Sequence, residues 1–327
     1  YPYPNLLRTI EVSLEGLERE EQRRYLDLAV FPEDTEVPEA VLGLLWGVDE
    51  YDTRELVDLL ADRSLARFSS GRLGLHDLQH DFAVKRTGDL PALHNRLVEA
   101  YRKECPDGWH TGPDDGYFFQ HLAYHLLHSG RKEELKNLLL DYRWLEVRLE
   151  KTEVTSLISD YDLLPEDEEL GLLQHGLRLS SHVLFKDSSE LAGQLLGRMQ
   201  SIDLPGIKGL MQQAGGTKGH PWLRPITSSL IAPGGPLIRA LIGHAGSVNA
   251  VALPADGRRA VSASYDQTLK VWDIESGKLI RTLEGHAGGI YAIALTADGR
   301  GAVSASSDRT LKVWDIESGK LIRTLEG

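Results

Sequence analysis

Apolar positions fall into three patterns along the chain. Over residues 87–204 they recur at three- and four-residue spacing, as in helices that bury one face. "DGYFFQHLAYHLLHSGRKEELKNLLLDYRWLEVRL" predicts a helix over about 115–128, a stop at Ser129-Gly130 and a second helix beyond. "TSLISDYDLL", "PEDEELGLLQHGLRLSSHVLF" and "DSSELAGQLLGRMQ" continue the pattern, with acids or Ser at their N-termini where capping and the helix dipole favour them. The stretch reads as an all-α array.

Residues 5–86 are mixed. "LLRTIEVSLEGLEREEQRRYLDLAVFPEDTEVPEAVLGLLWG" predicts short helices broken at Pro32 and Pro38. "RELVDLLADRSLARFSSGRLGLHDL" predicts a helix, a strand, a turn at Ser69-Ser70-Gly71, a second strand and a helix start, the order of a winged helix. Residues 205–236, rich in Gly and Pro, read as a connector, with Trp222 packed on a neighbouring domain.

The last 91 residues fall into short β-rich runs and repeat themselves. Residues 237–285 and 279–327, aligned at an offset of 42, share 39 of 49 positions. Val248–Leu253, Ala260–Ser264, Leu269–Asp273 and Leu279–Leu283 are β-rich runs, punctuated by turns at Asp256-Gly257 and Ser276-Gly277. A 42-residue period with Gly-His early and Trp-Asp late fits a four-stranded propeller blade. "PLIRALIGH", 236–244, reads as an outer strand ahead of the first full blade. Two blades cannot close a ring, so further blades are expected. The fold expected for the whole chain is multidomain α+β. A winged helix spans 1–86, a helical array 87–204, a connector 205–236, and an incomplete propeller of two blades plus one outer strand 237–327.

Charge narrows the partners. Residues 237–327 carry 11 Lys/Arg and 10 Asp/Glu, and residues 1–236 the remaining 25 and 39, so the net −13 of the chain is about +1 and −14 in these two parts. Nucleic acid repels such a surface without a basic patch, and no patch of that size occurs. No run of about 18 apolar residues exists, so no membrane span is expected. The one cysteine, Cys105, suits a reducing compartment, and a cytoplasmic location is expected.

Two histidine patterns raise a metal. "HDLQH", 76–80, is close to the zinc-peptidase pattern H-E-x-x-H. Leu73 and Leu75 alternate on a strand, however, and Asp77 follows as a natural N-cap, which leaves His76 outside the helix and off the face of His80. His121, His125 and His128 span about 10.5 Å of helix, too far for one zinc with bonds of about 2.1 Å. No metal site is expected, and packing is favoured for these three. No G-x-S-x-G, C-x-x-C or G-x-x-x-x-G-K-[ST] motif occurs, so no catalytic residue is expected in this chain.

The repeats, with both signature dipeptides, resemble the WD-repeat family. That resemblance implies a buried hydrogen-bond chain of His, Ser/Thr, Asp and Trp in each blade: His244, Ser262, Asp266 and Trp272, then His286, Ser304, Asp308 and Trp314, with Ser264 and Ser306 as alternative hydroxyls. "SLEGLEREEQRRYLDLAVFPEDTEVPEAVLGLLW", "LVDLLADRSLARF" and "GLHDLQHDFA" resemble the winged-helix part of the NB-ARC signalling ATPases, and "HLAYHLLHSGRKEELKNLLLDYRWL" resembles their helical domain. Leu75-His76-Asp77 matches the family's Met-His-Asp motif with Leu for Met. The resemblance implies that His76 contacts the β-phosphate of ADP, with Asp77 as its helix cap. This chain alone is expected to bind no cofactor; ADP or ATP is implied for a full-length protein whose nucleotide-binding domain lies N-terminal to it. The function implied is a regulatory and sensor arm: the propeller binds a protein partner, the winged helix holds the ADP-bound state, and activation permits homo-oligomers. The alternatives are a passive WD-repeat scaffold or a winged-helix transcription regulator.

Overall fold

A computed structural model describes residues 4–216 and 224–326. Trp222 lies outside the described residues. Two compact units are present, residues 1–174 with 191–229 and residues 175–190 with 230–327. The division by packing thus differs from one drawn by sequence pattern, passing within a helix at 174/175.

In the first unit the helices α1 (Pro4–Glu15), α2 (Arg19–Asp27), α3 (Glu39–Trp46), α4 (Glu50–Asp62) and α5 (Asp77–Arg86) surround a small sheet. Its strands are β1 (Val37–Pro38), β2 (Arg67–Ser69) and β3 (Arg72–Gly74), in the order β1-β3-β2, all antiparallel. Ser70 and Gly71 between β2 and β3 both have positive φ, 53° and 74°, as a two-residue hairpin turn requires. Val41, Leu42, Leu45, Val57, Leu60, Leu65 and Leu73 are buried. Here apolar spacing near 3.6 on the helices meets alternation on β3.

The helical array follows as α6 (Leu90–Glu104), α7 (Phe118–His128), α8 (Lys132–Leu139), α9 (Tyr142–Lys151), α10 (Val154–Asp160), α11 (Glu168–Leu184), α12 (Leu191–Met199) and α13 (Pro205–Gly215). The helix expected over about 115–128 begins only at Phe118. Asp115 Oδ1 accepts the N–H groups of Tyr117 (2.9 Å) and Phe118 (2.7 Å), which holds the chain in a turn before the helix. α13 is a correction to the connector expected over 205–236. Pro205 occupies the first turn, where its missing N–H costs nothing, and Ile207, Leu210, Met211 and Ala214 bury one face. That apolar face outweighs the helix-weakening Gly206 and Gly209.

The second unit holds two four-stranded antiparallel sheets. One is β4 (Val248–Ala252), β5 (Arg259–Ser264), β6 (Leu269–Asp273) and β7 (Leu279–Leu283), in sequence order. The other is β8 (Ile290–Leu295), β9 (Gly301–Ser306), β10 (Thr310–Asp315) and β11 (Leu321–Glu326), also in sequence order. Val261, Ala263, Leu269, Val271 and Leu283 of the first blade share one core with Ile290, Ala302, Trp314 and Ile316 of the second. Residues 236–244 form no strand, which corrects the expected outer strand. A strand exists by its ladder, and here the Leu237 carbonyl accepts a hydrogen bond from the His175 ring Nε2 (2.8 Å) instead. The other ring nitrogen, Nδ1, accepts the Gly234 N–H (2.8 Å), so neutral His175 ties this segment down at two points.

Candidate nucleotide-sensing site and blade networks

His76 is the residue at which β3 gives way to α5. Its dihedrals are extended (φ −75°, ψ 153°), and its carbonyl accepts the N–H groups of Gln79 (2.8 Å) and His80 (2.9 Å). His76 is therefore the N-cap, and Asp77 is the first helical residue, which corrects the expectation that Asp77 caps α5. The physical reason lies at Gln79. Its Oε1 reaches back to the His76 N–H (3.0 Å) while its Nε2 donates to the Ser64 carbonyl (2.8 Å). This reciprocal bond sets the helix start one residue earlier than an Asp cap would. Asp77 instead puts its carboxylate in the first turn, where the helix dipole favours it. His76 is exposed and lines a small cavity with Asp34, Thr35, Glu36, Arg67, Gly74 and Leu75. Arg67 is paired there with Glu36 at 2.6 Å.

His80 takes a different path. Its Nε2 donates to the Phe31 carbonyl (2.8 Å), which ties α5 to the turn after α2. His76 and His80 do not converge on one point, and among the described residues no three His, Cys, Asp or Glu side chains gather to hold a metal.

Of the α7 histidines, His125 is buried, His121 half-buried and His128 exposed. His125 is 1% exposed; its Nδ1 lies 2.8 Å from His94 Nδ1 and its Nε2 lies 2.7 Å from the Tyr117 hydroxyl. His121 stacks on Tyr117 at 4.2 Å, and His128 on His94 at 5.1 Å. Burial pushes His94 and His121 down to about 4, and holds His125 well below the usual imidazole range. His94 escaped the sequence reading because it meets His125 across 31 residues on another helix. The buried pair Arg148 and Asp160 was missed for a similar reason: Nε donates to Oδ2 at 3.1 Å, and Arg148 also bonds Thr152 and Ser156.

The two blades each assemble the same constellation. Trp272 Nε1–H donates to Ser262 Oγ (2.8 Å), the Ser262 hydroxyl meets His244 Nε2 (2.7 Å), and His244 Nδ1–H donates to Asp266 Oδ2 (2.8 Å). Trp314, Ser304, His286 and Asp308 repeat this at 2.8, 2.8 and 2.7 Å. Ser264 and Ser306 stand outside this chain; each accepts the N–H of the aspartate two residues on, Asp266 (3.1 Å) and Asp308 (3.2 Å). Thr268 and Thr310, also missed by the sequence reading, donate hydroxyl and backbone N–H to the same aspartates; the "DQT" and "DRT" spacing was the available signal. Burial raises the Asp266 and Asp308 carboxyls. The bonds from Thr, His and the backbone of Ala245 or Ala287 outweigh it and hold both well below the usual range. With every polar atom satisfied, the arrangement fixes backbone geometry and leaves no group free for chemistry.

Comparison with known proteins follows the same division. Residues 20–83 match the family described as "Apoptotic protease-activating factor 1-like, winged-helix domain". Residues 90–193 match "APAF-1 helical domain", and 235–273 and 277–315 match "WD domain, G-beta repeat". Apoptotic protease-activating factor 1 from Danio rerio is 29% identical over 297 residues, covering 85% of this chain and 23% of that protein. The Homo sapiens protein of that name is 25% identical over 303 residues with the same coverage. Homo sapiens NACHT domain- and WD repeat-containing protein 1 is 32% identical over 245 residues, covering 68% of this chain and 15% of that protein. The chain thus spans 23% of the length of the first two relatives. Among the described residues no helix is long and apolar enough to cross a membrane.

Proposed function

We propose, from the premise that this chain is a relative of apoptotic protease-activating factor carrying its winged-helix domain, its helical domain and WD repeats, that it is the regulatory and sensor arm of a nucleotide-switched signalling ATPase. The winged helix closes on a nucleotide-binding domain outside residues 1–327 and holds the ADP-bound, inactive state. The WD blades bind a protein partner, and that binding releases the closed state and permits oligomers to form.

The observation that carries this reading is the position of His76. It is exposed at the N-cap of α5, where the free N–H groups and positive dipole end of a helix favour a phosphate. A histidine there adds a donor whose loss releases the nucleotide without unfolding the domain, because the ring packs in no core. Asp77, one residue on, supports the helix start rather than the ligand. The packing of His80 against the Phe31 carbonyl and of His94 with His125 supports a stiff joint behind the sensor. The test is the ADP content of the purified protein in which this chain is joined to its nucleotide-binding domain, compared between wild type and His76→Ala.

A further inference from the structure

The turns that join the first two strands of each blade together line a cavity of about 400 Å³, wholly within the second unit. The turn between β4 and β5 supplies Pro254, Asp256 and Arg259, and the turn between β8 and β9 supplies Asp298 and Arg300. Glu317, after β10, also lines it. The two turns touch: a Cβ on Gly299 would lie 3.0 Å from Pro254 Cβ.

Between residues 243–285 and 285–327, aligned at the offset of 42, the blades differ at eight positions, and two of these pairs, Pro254/Thr296 and Arg259/Gly301, depend on one another. In the second blade the turn is closed on itself. Thr296 Oγ1 accepts the Gly301 N–H (2.8 Å), and its hydroxyl donates to Asp298 Oδ1 (2.5 Å). A Cβ on residue 301 would lie 2.9 Å from Thr296 Cγ2, so a side chain there would force the threonine to move. In the first blade Pro254 has no hydroxyl to make these bonds, and Arg259, at the place of Gly301, lines the cavity. The other six differing pairs do not line it. The coupled exchange turns a self-satisfied turn into one that offers a guanidinium.

Arg259 is half-buried and Arg300 exposed, and among the described residues neither guanidinium makes a hydrogen bond or ion pair. Asp273 and Asp315 feel these charges but accept the N–H groups of Ser276 and Ser318, both at 2.6 Å. Asp256 and Asp298 each give one oxygen to their own turn, accepting the N–H groups of Arg258 (3.0 Å) and Arg300 (3.1 Å). The planar fork of a guanidinium matches a carboxylate or a phosphate. Charge decides between them. The two cations and three carboxylates of the lining leave one surplus negative charge. A phosphate would add to that surplus. A zwitterion adds nothing to it, and its ammonium meets the carboxylates.

We propose that this cavity binds a free α-amino acid, with its carboxylate on Arg259 and Arg300 and its ammonium on Glu317 and the two aspartates. A side chain bearing a second ammonium, as in lysine, cancels the surplus charge and fits best. Such a site gives the chain a small-molecule input separate from any nucleotide at His76.

The test titrates the whole chain by calorimetry with lysine, alanine and glutamate, and affinity should fall in that order. Lysinamide, which lacks the carboxylate, and Nα-acetyl-lysine, which lacks the α-ammonium, should bind more weakly than lysine, as should inorganic phosphate. Pro254→Thr/Arg259→Gly installs the second blade's turn, which this protein already folds. That variant and Arg300→Gln should each weaken lysine binding roughly 10-fold or more. Arg258→Gln, on the same turn but outside the cavity, should bind lysine like wild type. The proposal is overturned if none of the three amino acids binds, or if both arginine-site variants bind lysine like wild type. It is also overturned if lysinamide, acetyl-lysine or phosphate binds as tightly as lysine, since the site then does not read a zwitterion.

Discussion

His94 and His125 face each other through their Nδ1 atoms at 2.8 Å, and a bond of that kind holds only one proton. If His125 Nδ1–H donates to His94, its Nε2 accepts from the Tyr117 hydroxyl, and the chain of three groups is satisfied with both rings neutral. His94 Nε2 then faces the interior without a hydrogen-bond partner among the described residues. A second added proton would set two N–H groups against each other.

Acid should therefore destabilise the first unit. His94 and His121 are pushed down to about 4 and His125 lower still, so the unfolded chain binds more protons than the folded one below the ordinary histidine value near 6.5. Asp160 works the other way, its carboxyl raised to about 6 by burial against the opposing pull of Arg148. The remaining groups facing the cluster are Tyr117, Tyr124 and His128, with Arg148 near His121. Three histidines against one aspartate leave a net uptake of roughly two protons on unfolding near pH 5.5, about 2.7 kcal/mol per pH unit. Denaturant titrations from pH 7 to 5 should show this loss, which stops growing as pH falls through the folded values near 4. A stability independent of pH over that range would be incompatible with a buried neutral cluster.

The Arg148–Asp160 pair predicts a mutant cycle. Arg148 is fully buried, so Arg148→Leu leaves the Asp160 carboxylate unpaired and should cost about 3–5 kcal/mol. Arg148→Leu with Asp160→Leu should recover most of it, because both desolvated charges are gone. Equal losses in the single and double variants would show that the pair does not act as a unit.

In the blades, Ser304→Ala removes the acceptor of Trp314 Nε1–H and the partner of His286 Nε2 together. Both groups are buried, so a loss of about 2–4 kcal/mol is expected in denaturant unfolding. Ser307→Ala, three residues on and exposed, should change stability by less than about 0.5 kcal/mol.

Residues 1–86 should bind no duplex selectively at physiological salt, since acids outnumber bases across 1–236 by 39 to 25. Sub-micromolar, sequence-selective binding in a mobility-shift titration would revive the transcription-regulator alternative.

The parts legible in the sequence were those set by local periodicity. The strands of each blade, the wing hairpin around Ser70-Gly71 and most of the helices follow from spacing and turn residues that lie next to one another. What was not legible depends on partners distant in sequence or on an apolar face that composition hides. Gly and Pro disguised α13, whose apolar residues nevertheless keep helical spacing. Residues 236–244 have strand-forming side chains but no ladder, and His175 takes the Leu237 carbonyl instead. The cap of α5 turned on Gln79 reaching back to His76, a contact that competes with the more familiar Asp cap.

The most direct test of the account is ADP retention in the protein that joins this chain to its nucleotide-binding domain. A charge-assisted hydrogen bond from His76 to phosphate is worth about 1.5–3 kcal/mol, so His76→Ala should shift the closed-to-open balance by roughly 10- to 150-fold. ADP content after purification should fall, and oligomers should form without a partner. His80→Ala should lose stability through the Phe31 carbonyl yet keep its ADP. Wild-type ADP retention in His76→Ala would contradict the sensor role on which the account rests.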